Sequence, residues 1–473
     1  LNGVRQSGKT GGFAMLFQPK LIGSVKTTNL MFMLNHSTNP SPSVSRREFL
    51  KTSSLAAATA AAAVSFPSVV GASEKQPINA VIIGVGGRGS GAGANFLEAV
   101  KNLGVEGKIV AVADLFPEPA QDAREKLKLP AETVCLSGFD AYRKAIEVPG
   151  VNYCILATPP GFRASHFRAC VEAGKNVFME KPVAVDGTGC RLMYETAEMA
   201  KKKNLKVAAG TQRRHQAGYI EAIKRIHGGE VGDIISLRAY WVNGGPIWHK
   251  GDHGDSDLER QIRNWYHYIW LSGDHICEQH VHNLDVCNWI MQDHPIKCWG
   301  QGARQQLGDK SGEIWDNFAV EFEYKNGIRL ASYCGQIKRD WSSVSEAVHG
   351  TKGITYTDSG VQKLPNWRFR EKSIDPYVQE HMDLINAIHK DSDLNEAKQV
   401  TDSTLTAIMG REAAYSGAGV EWDDILNCKF AYAPEQLYKD SSKMQFGDFR
   451  TLQPPMPSLH NILKDPPVVP LKA

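Results

Sequence analysis

From Ile78 onward the apolar residues fall into short unbroken runs, each followed by a longer stretch with helical spacing. The runs "INAVII", "KIVAVADLF", "NYCILATPP" and "NVFMEKPVAVD" read as strands buried on both faces, and the segments between them, such as "RASHFRACVEAG", read as helices. This alternation from residue 77 to about 212 predicts a parallel sheet wound by right-handed crossovers, with ligands at the carboxyl ends of its strands. Beyond residue 213 the pattern changes to strict alternation in "DIISLRAYWV", "FAVEFEYKNGIRLASYCGQ" and "EAVHGTKGITYTD", with "KNG" as a turn. Period two with such a turn predicts antiparallel hairpins, and hence an α+β domain over 213–428 whose open, largely antiparallel sheet covers the cleft. The helical stretches "PYVQEHMDLINAIHKD" and "TDSTLTAIMGREAAYSG" are expected to pack back on the first domain. The tail 429–473 contains "QPPMPSLHNILKDPPVVP", whose prolines predict an extended arm without regular helix or sheet.

Composition changes this picture mainly at the start of the chain. "SRREFLK" at 45–51, the alanine-rich stretch after it and the small residues Val70, Gly71 and Ala72 resemble a twin-arginine export signal with a cleavage site before Ser73. The expectation is export to the periplasm through the twin-arginine translocase, with anchoring in the membrane if the signal stays uncleaved. Residues 1–44 read as a leader extension, with 1–30 as an artefact of the gene model. Their "GVRQSGKT" fits a phosphate loop in letters only, since no buried strand precedes it. The net charge of +3 owes its sign to this leader: without residues 1–72, 47 basic residues face 50 acidic ones, so nothing argues for a nucleic-acid partner. Nine cysteines include no C-x-x-C pair and lie mostly in apolar contexts, as buried thiols do.

The candidate chemistry begins where the first strand runs into Gly84-x-Gly86-x-x-Gly89 and then a helix. Gly84 suits the tight turn, Gly86 the approach of a pyrophosphate and Gly89 close packing of the helix, with Gly87 and Arg88 completing the loop. Twenty-five residues after Gly89, Asp114 ends the second strand, where a carboxylate accepts the ribose hydroxyls and repels a 2′-phosphate. These features predict an N-terminal Rossmann dinucleotide-binding domain that takes NAD in preference to NADP, with Arg88 the nearby cation able to rescue NADP. Thr158 and Pro159 end another strand and Glu180 and Lys181 a further one, which places all four at the same edge. In the second domain "EQHVHNLDVCNW" gathers Glu278, His282 and Asp285 at i, i+4 and i+7, one face of a helix, with His280 pointing away. Such a face could bind metal, move protons or pack. No metal motif surrounds it, so no metal is expected, and the dinucleotide loop upstream makes proton transfer the better reading.

The triplet Glu180-Lys181-Pro182 after "AGKNVFM", together with the glycine loop and "GDHICEQHVHNLDVCNW", resembles the glucose-fructose oxidoreductase, inositol dehydrogenase and rhizopine-catabolism (Gfo/Idh/MocA) family over roughly residues 77–425. The resemblance implies that Lys181 contacts substrate and nicotinamide ribose, that His282 is the acid/base, and that Asp285 matches a family aspartate. Glu278 stands where the family often has aspartate. It implies an NAD-dependent oxidoreductase that takes hydride from a secondary alcohol of a sugar, polyol or sugar derivative. The chemistry of the residues themselves adds that Asp285 or Glu278 orients the imidazole, and a homo-oligomer is the expected assembly. Gln212, Arg213, Trp265 and Tyr266 are candidate substrate contacts. The segment 243–272, rich in Trp, His, Asp and Arg, suits a sugar site or a subunit contact. Two further readings are a glycosidase or lyase that oxidises its substrate transiently, and a non-catalytic protein that keeps the fold for binding.

Overall fold

The computed structural model describes residues 76–244, 251, 253–308 and 312–464. The leader with its twin-arginine motif, and residues 245–250 and 252 of the 243–272 segment, lie outside them. The first sheet contains β1 Ile78–Ile83, β2 Gly107–Asp114, β3 Val134–Ser137, β4 Tyr153–Leu156, β5 Asn176–Met179 and β6 Val207–Ala209. All its pairings are parallel, in the order β3-β2-β1-β4-β5-β6. That is the doubly wound dinucleotide order, which the handed crossovers require once helices cover both faces. Val81 and Ile83 feed one apolar layer and Ala80 and Ile82 the other, so β1 is hydrophobic at nearly every position. The short strands β3 and β6 carry too few residues to stand out as apolar runs. The expected strand over "NVFMEKPVAVD" stops at Met179, and Glu180–Asp186 leave the sheet.

The second sheet is built from β7 Ile234–Val242, β8 Pro295–Ala303, β9 Asn317–Tyr324, β10 Arg329–Gly335, β11 Ser343–Gly350, β12 Gly353–Ile354, β13 Tyr356–Asp358, β14 Gln362–Leu364, β15 Trp367–Arg368 and β16 Val420–Glu421. It is antiparallel except where β10 lies parallel to β7, so two expected hairpins flank a central strand contributed from earlier in the chain. The helix Pro376–Lys390 buries Val378, Leu384 and Ile385 in the core of the first domain, and Ala397–Ser416 joins both domains.

Two expectations about local structure need correction. Residues 278–289 do not form one helix: His275–Glu278 and Val281–Met291 are separate, joined by Gln279 and His280. A continuous helix would give the Glu278 carbonyl to the amide of His282. Instead Lys181 Nζ donates to that carbonyl, and His282 N turns to Gln279 O at 3.4 Å. The arm from Lys429 is not extended throughout, because Glu435–Asp440 is helical and the prolines cluster only beyond it. Its later part lies on its own chain, where Pro455 O accepts from Trp315 Nε1 at 3.0 Å and Leu452 N donates to Glu313 at 2.8 Å.

Candidate active site

A cleft of about 880 Å³ runs along the carboxyl edge of the parallel sheet. The glycine loop forms one end of its floor. Gly84 has φ +84°, and a Cβ there would come within 2.5 Å of Thr158 N; a Cβ on Gly89 would fall 1.8 Å from Gly84 O. Neither position tolerates a side chain, so the first turn and the helix Gly87–Leu103 press against the sheet. Gly86 and Gly87 differ: a Cβ on either meets nothing within 4 Å, and both line the cleft. The helix also starts without a side-chain cap. Open backbone at an uncapped helix N-terminus is a cradle for a pyrophosphate, so the loop fits a dinucleotide.

Asp114 lines the same cleft from the end of β2, and its carboxylate also holds the loop, accepting from Val85 N at 2.9 Å and Phe116 N at 3.2 Å. Arg88 does not turn toward it. Its Nε donates to Glu180 Oε1 at 2.6 Å and its guanidinium lies 4.7 Å from the ring centre of Tyr377. Glu180 follows β5, three strands from β2 in the sheet order, or about 14 Å away at ordinary strand spacing. The expected rescuer of a 2′-phosphate is therefore committed to the other end of the cleft.

At that other end Lys181, Glu278 and His282 converge. Lys181 Nζ donates to Glu278 Oε1 at 3.0 Å, and both side chains are nearly closed to solvent. Burial pushes the Glu278 carboxyl up while the Lys181 charge pulls it back down. His282 is pushed well below the ordinary histidine range by burial first and then by the charges of Lys181, Arg213 and Arg88. It is therefore neutral at neutral pH, the form that accepts a proton. Its Nδ1 is buried and has no hydrogen-bond partner within the protein. Its orientation comes instead from Trp241 on β7, stacked at 5.7 Å between ring centres and 20° between planes.

This arrangement corrects the expected role of the two carboxylates. Neither Glu278 nor Asp285 is hydrogen-bonded to the imidazole. Glu278 serves Lys181, while Asp285 is buried outside the cleft, taken by Arg214 (2.9 and 3.0 Å), Gln399 (3.0 Å) and Ser403 (2.8 Å). His280 is buried and hydrogen-bonded with Ser332 Oγ at 2.7 Å.

Gly84, Gly86, Gly87, Arg88, Gly89, Asp114, Thr158, Pro159, Glu180, Lys181, Glu278, His282 and Trp265 all line the one cleft. Gln212, Arg213 and Tyr266 do not. Gln212 stands behind Tyr377, with Nε2 3.2 Å from its hydroxyl. Arg213 is buried in an ion pair with Glu346, and Tyr266 is buried with its hydroxyl 3.0 Å from Gln336 Oε1. The sequence reading missed Trp241, Tyr377 and Arg163. Arg163 is fully buried and donates to the carbonyls of Thr158 and Glu180, tying the ends of β4 and β5 together. Its signal, an arginine in the first turn after "TPP", has no spacing that distinguishes it from a surface residue. Among the described residues no group of three or more His, Cys, Asp or Glu side chains is placed to hold a metal ion.

A doubly wound sheet with an open glycine cradle, and a lysine and histidine at the far end of the same cleft, is the architecture of a two-domain nicotinamide-nucleotide protein. Residues 78–210 match the GFO_IDH_MocA family, described as an oxidoreductase family with an NAD-binding Rossmann fold, and residues 219–356 match the GFO/IDH/MocA C-terminal domain. The chain belongs to the Gfo/Idh/MocA oxidoreductase family, and its first domain is the NAD-binding one.

The chain is similar to inositol 2-dehydrogenase of Gluconacetobacter diazotrophicus, 27% identical over 249 residues that cover 52% of this chain and 66% of that protein. It is also similar to the inositol 2-dehydrogenase/D-chiro-inositol 3-dehydrogenase of Halalkalibacterium halodurans, 27% identical over 206 residues, with 43% of this chain and 51% of that protein covered. The matches thus span about half to two thirds of the length of these relatives. Among solved structures, scyllo-inositol dehydrogenase from Lactobacillus casei with bound NAD(H) and scyllo-inositol shares the fold at a TM-score of 0.58 and 19% identity, covering 73% of this chain and 99% of that one. A levoglucosan dehydrogenase in complex with NADH and levoglucosan does so at 0.60 and 18%, with the same coverage.

Proposed function

We propose that the protein is an NAD-dependent dehydrogenase acting on a secondary hydroxyl of a polyol, sugar or sugar derivative. One observation carries this: the Lys181–Glu278 pair and a neutral His282 meet in the cleft that holds the glycine loop. The relatives named for inositols and the structure complexed with levoglucosan support the substrate class. When bound, NAD supplies the hydride acceptor. The chain's own residues manage the proton and the charge. His282 takes the hydroxyl proton, Lys181 stabilises negative charge on the oxygen it leaves, and Glu278 holds the ammonium in place. Trp241, stacked on the imidazole, limits its rotation.

The test is NAD-loaded protein challenged with a panel of inositols, sugars and anhydrosugars, reading NADH fluorescence and keto product by mass spectrometry. Both are expected with at least one class. Absence of both from every compound, with nucleotide demonstrably bound, would remove the proposal. The reading extends to export by the "SRREFLK" signal and to a homo-oligomer. Periplasmic delivery should be lost when Arg46 and Arg47 become lysine, and sedimentation of the purified protein should exceed that of a monomer.

A further inference from the structure

The adenosine end of the cleft has two walls, and only one belongs to the Rossmann domain. That wall is Asp114, Phe116, Glu118 and Pro119 after β2, with Phe139 after β3. The opposite wall is contributed by the second domain: His253, Asp255, Glu259, Ile262, Arg263 and Trp265 line the same cleft from around the helix Asp257–Arg263. The walls touch. The Arg263 guanidinium lies 3.7 Å from the ring centre of Phe116, and its Nη2 is 3.5 Å from Glu118 Oε1. Phe116 stacks in turn on Phe446 of the C-terminal arm at 5.9 Å and 14°, and Phe139 meets the same ring at 5.1 Å.

The second wall is anchored from behind. Leu258 N donates to Gly447 O at 3.2 Å, Gln261 Nε2 to Arg450 O at 2.8 Å, and Trp270 Nε1 to Gln261 Oε1 at 2.7 Å. The arm is fastened at Trp315 and Glu313, so the segment, the arm and the second sheet form one connected unit. We infer that residues 253–265 are the outer wall of the adenosine subsite, closing on Phe116 and Glu118 so that NAD is a resident group that leaves only when this contact opens. The inference rests on the cleft being the nucleotide site and goes beyond it, because a Rossmann domain alone leaves the adenosine half open along one side. The wall also adds carboxylates near Asp114. Both arginines of 253–265 are committed, Arg260 to Asp257 and Arg263 to Glu259 (2.9 Å) and Glu118, so neither is free for a 2′-phosphate.

The experiment measures release of a fluorescent etheno-NAD from loaded protein after mixing with excess NAD. Arg263→Ala cuts the contact from the second domain and Glu118→Ala loosens it from the first, so a folding defect in one variant leaves the other informative. Both should release nucleotide faster, Arg263→Ala by about tenfold or more, as expected for loss of a partly buried cation–π contact. Unmodified protein should retain nucleotide through gel filtration. Release from both variants at the unmodified rate, or immediate loss from unmodified protein, overturns the wall. Gly86→Val separates this from failure of the site itself: a side chain in the cradle must abolish etheno-NAD binding, and unchanged binding would show that the nucleotide lies elsewhere.

Discussion

The two ends of the cleft are built in opposite ways. At the nucleotide end the loop and the ribose carboxylate are local: Gly84 to Gly89 and Asp114 lie within one strand-helix-strand unit, and only the outer wall at 253–265 comes from the second domain. The end proposed for proton transfer is assembled from far apart, with Lys181 after β5, Trp241 on β7, and Glu278 and His282 around a break between two helices. A local site tolerates little change in backbone but much around it. A dispersed site depends on packing between domains, and its electrostatics are made by burial rather than by any one neighbour.

The comparison breaks most sharply at His282. His282→Asn removes the proton acceptor but touches nothing at the glycine loop, so turnover should fall by about 10²–10⁴-fold while NAD binding stays within experimental error. Equal losses of turnover and of NAD affinity would mean that the two ends are not separable. In the unmodified protein the acid limb of kcat/KM should lie below the ordinary histidine pKa of about 6.5, because burial and Lys181 both disfavour the imidazolium. Glu278→Gln leaves the Lys181 charge uncompensated beside His282 and should move that limb to still lower pH, with a loss of rate; a shift toward higher pH would contradict the assigned pairing.

A smaller effect comes from behind the site. His215 is buried between Asp383 (2.7 Å) and Glu396 (3.4 Å), at the end of the short helical turn Gln212–His215 that follows β6. Burial opposes its charge, but Glu396 and these hydrogen bonds outweigh it and push the imidazole up to about 10. A raised histidine pKa stabilises the fold fully below its unfolded value of about 6.5, and the contribution is lost as pH rises through about 10. Unfolding by urea should therefore reveal about 2–3 kcal/mol lost between pH 7 and 10, trimmed by the partial exposure of Asp383. His215→Gln should flatten that slope. An unaltered slope in the variant would place the alkaline loss elsewhere.

The contrast also explains what could be read from the letters. The Rossmann order, the Gly84–Gly89 loop, Asp114 and the Glu180-Lys181-Pro182 triplet follow from short-range pattern, because tight turns and fully buried strands restrict residue type locally. His282 was picked out by i, i+4 spacing on a helix that proves to be broken at Gln279 and His280, and it lines the cleft all the same, whereas Asp285, three residues on, does not. Its destination depends on Arg214, Gln399 and Ser403, which reach it from three other segments. Gln212, Arg213 and Tyr266, expected as sugar contacts, prove to be partners of Tyr377, Glu346 and Gln336, with Arg213 and Tyr266 buried. Trp241 reads as one more apolar residue on an alternating strand, and only the packing of the second sheet sets it against His282.

The smallest effect, and the finest test of the local end, is at Asp114. Its carboxylate accepts from Val85 N and Phe116 N while facing the cleft, so it shapes the loop and sets its charge together. Serine offers a shorter acceptor and cannot span both amides, whereas asparagine removes the charge and keeps one carbonyl acceptor. If charge alone discriminated, the two substitutions would narrow the NAD-over-NADP preference equally, by roughly one to two orders of magnitude for a repulsion of a few kcal/mol. Because the loop is involved, Asp114→Ser should narrow it mainly by weakening NAD. Asp114→Asn should weaken NAD less and recover little NADP binding, since Arg88 remains with Glu180 and Arg263 with Glu118 and Glu259. Titrating both nucleotides into stripped protein distinguishes the cases. Tight NADP binding by Asp114→Asn would mean that one of these arginines leaves its partner for the phosphate, and tighter NADP than NAD binding by the unmodified chain would mean that Asp114 does not face the ribose.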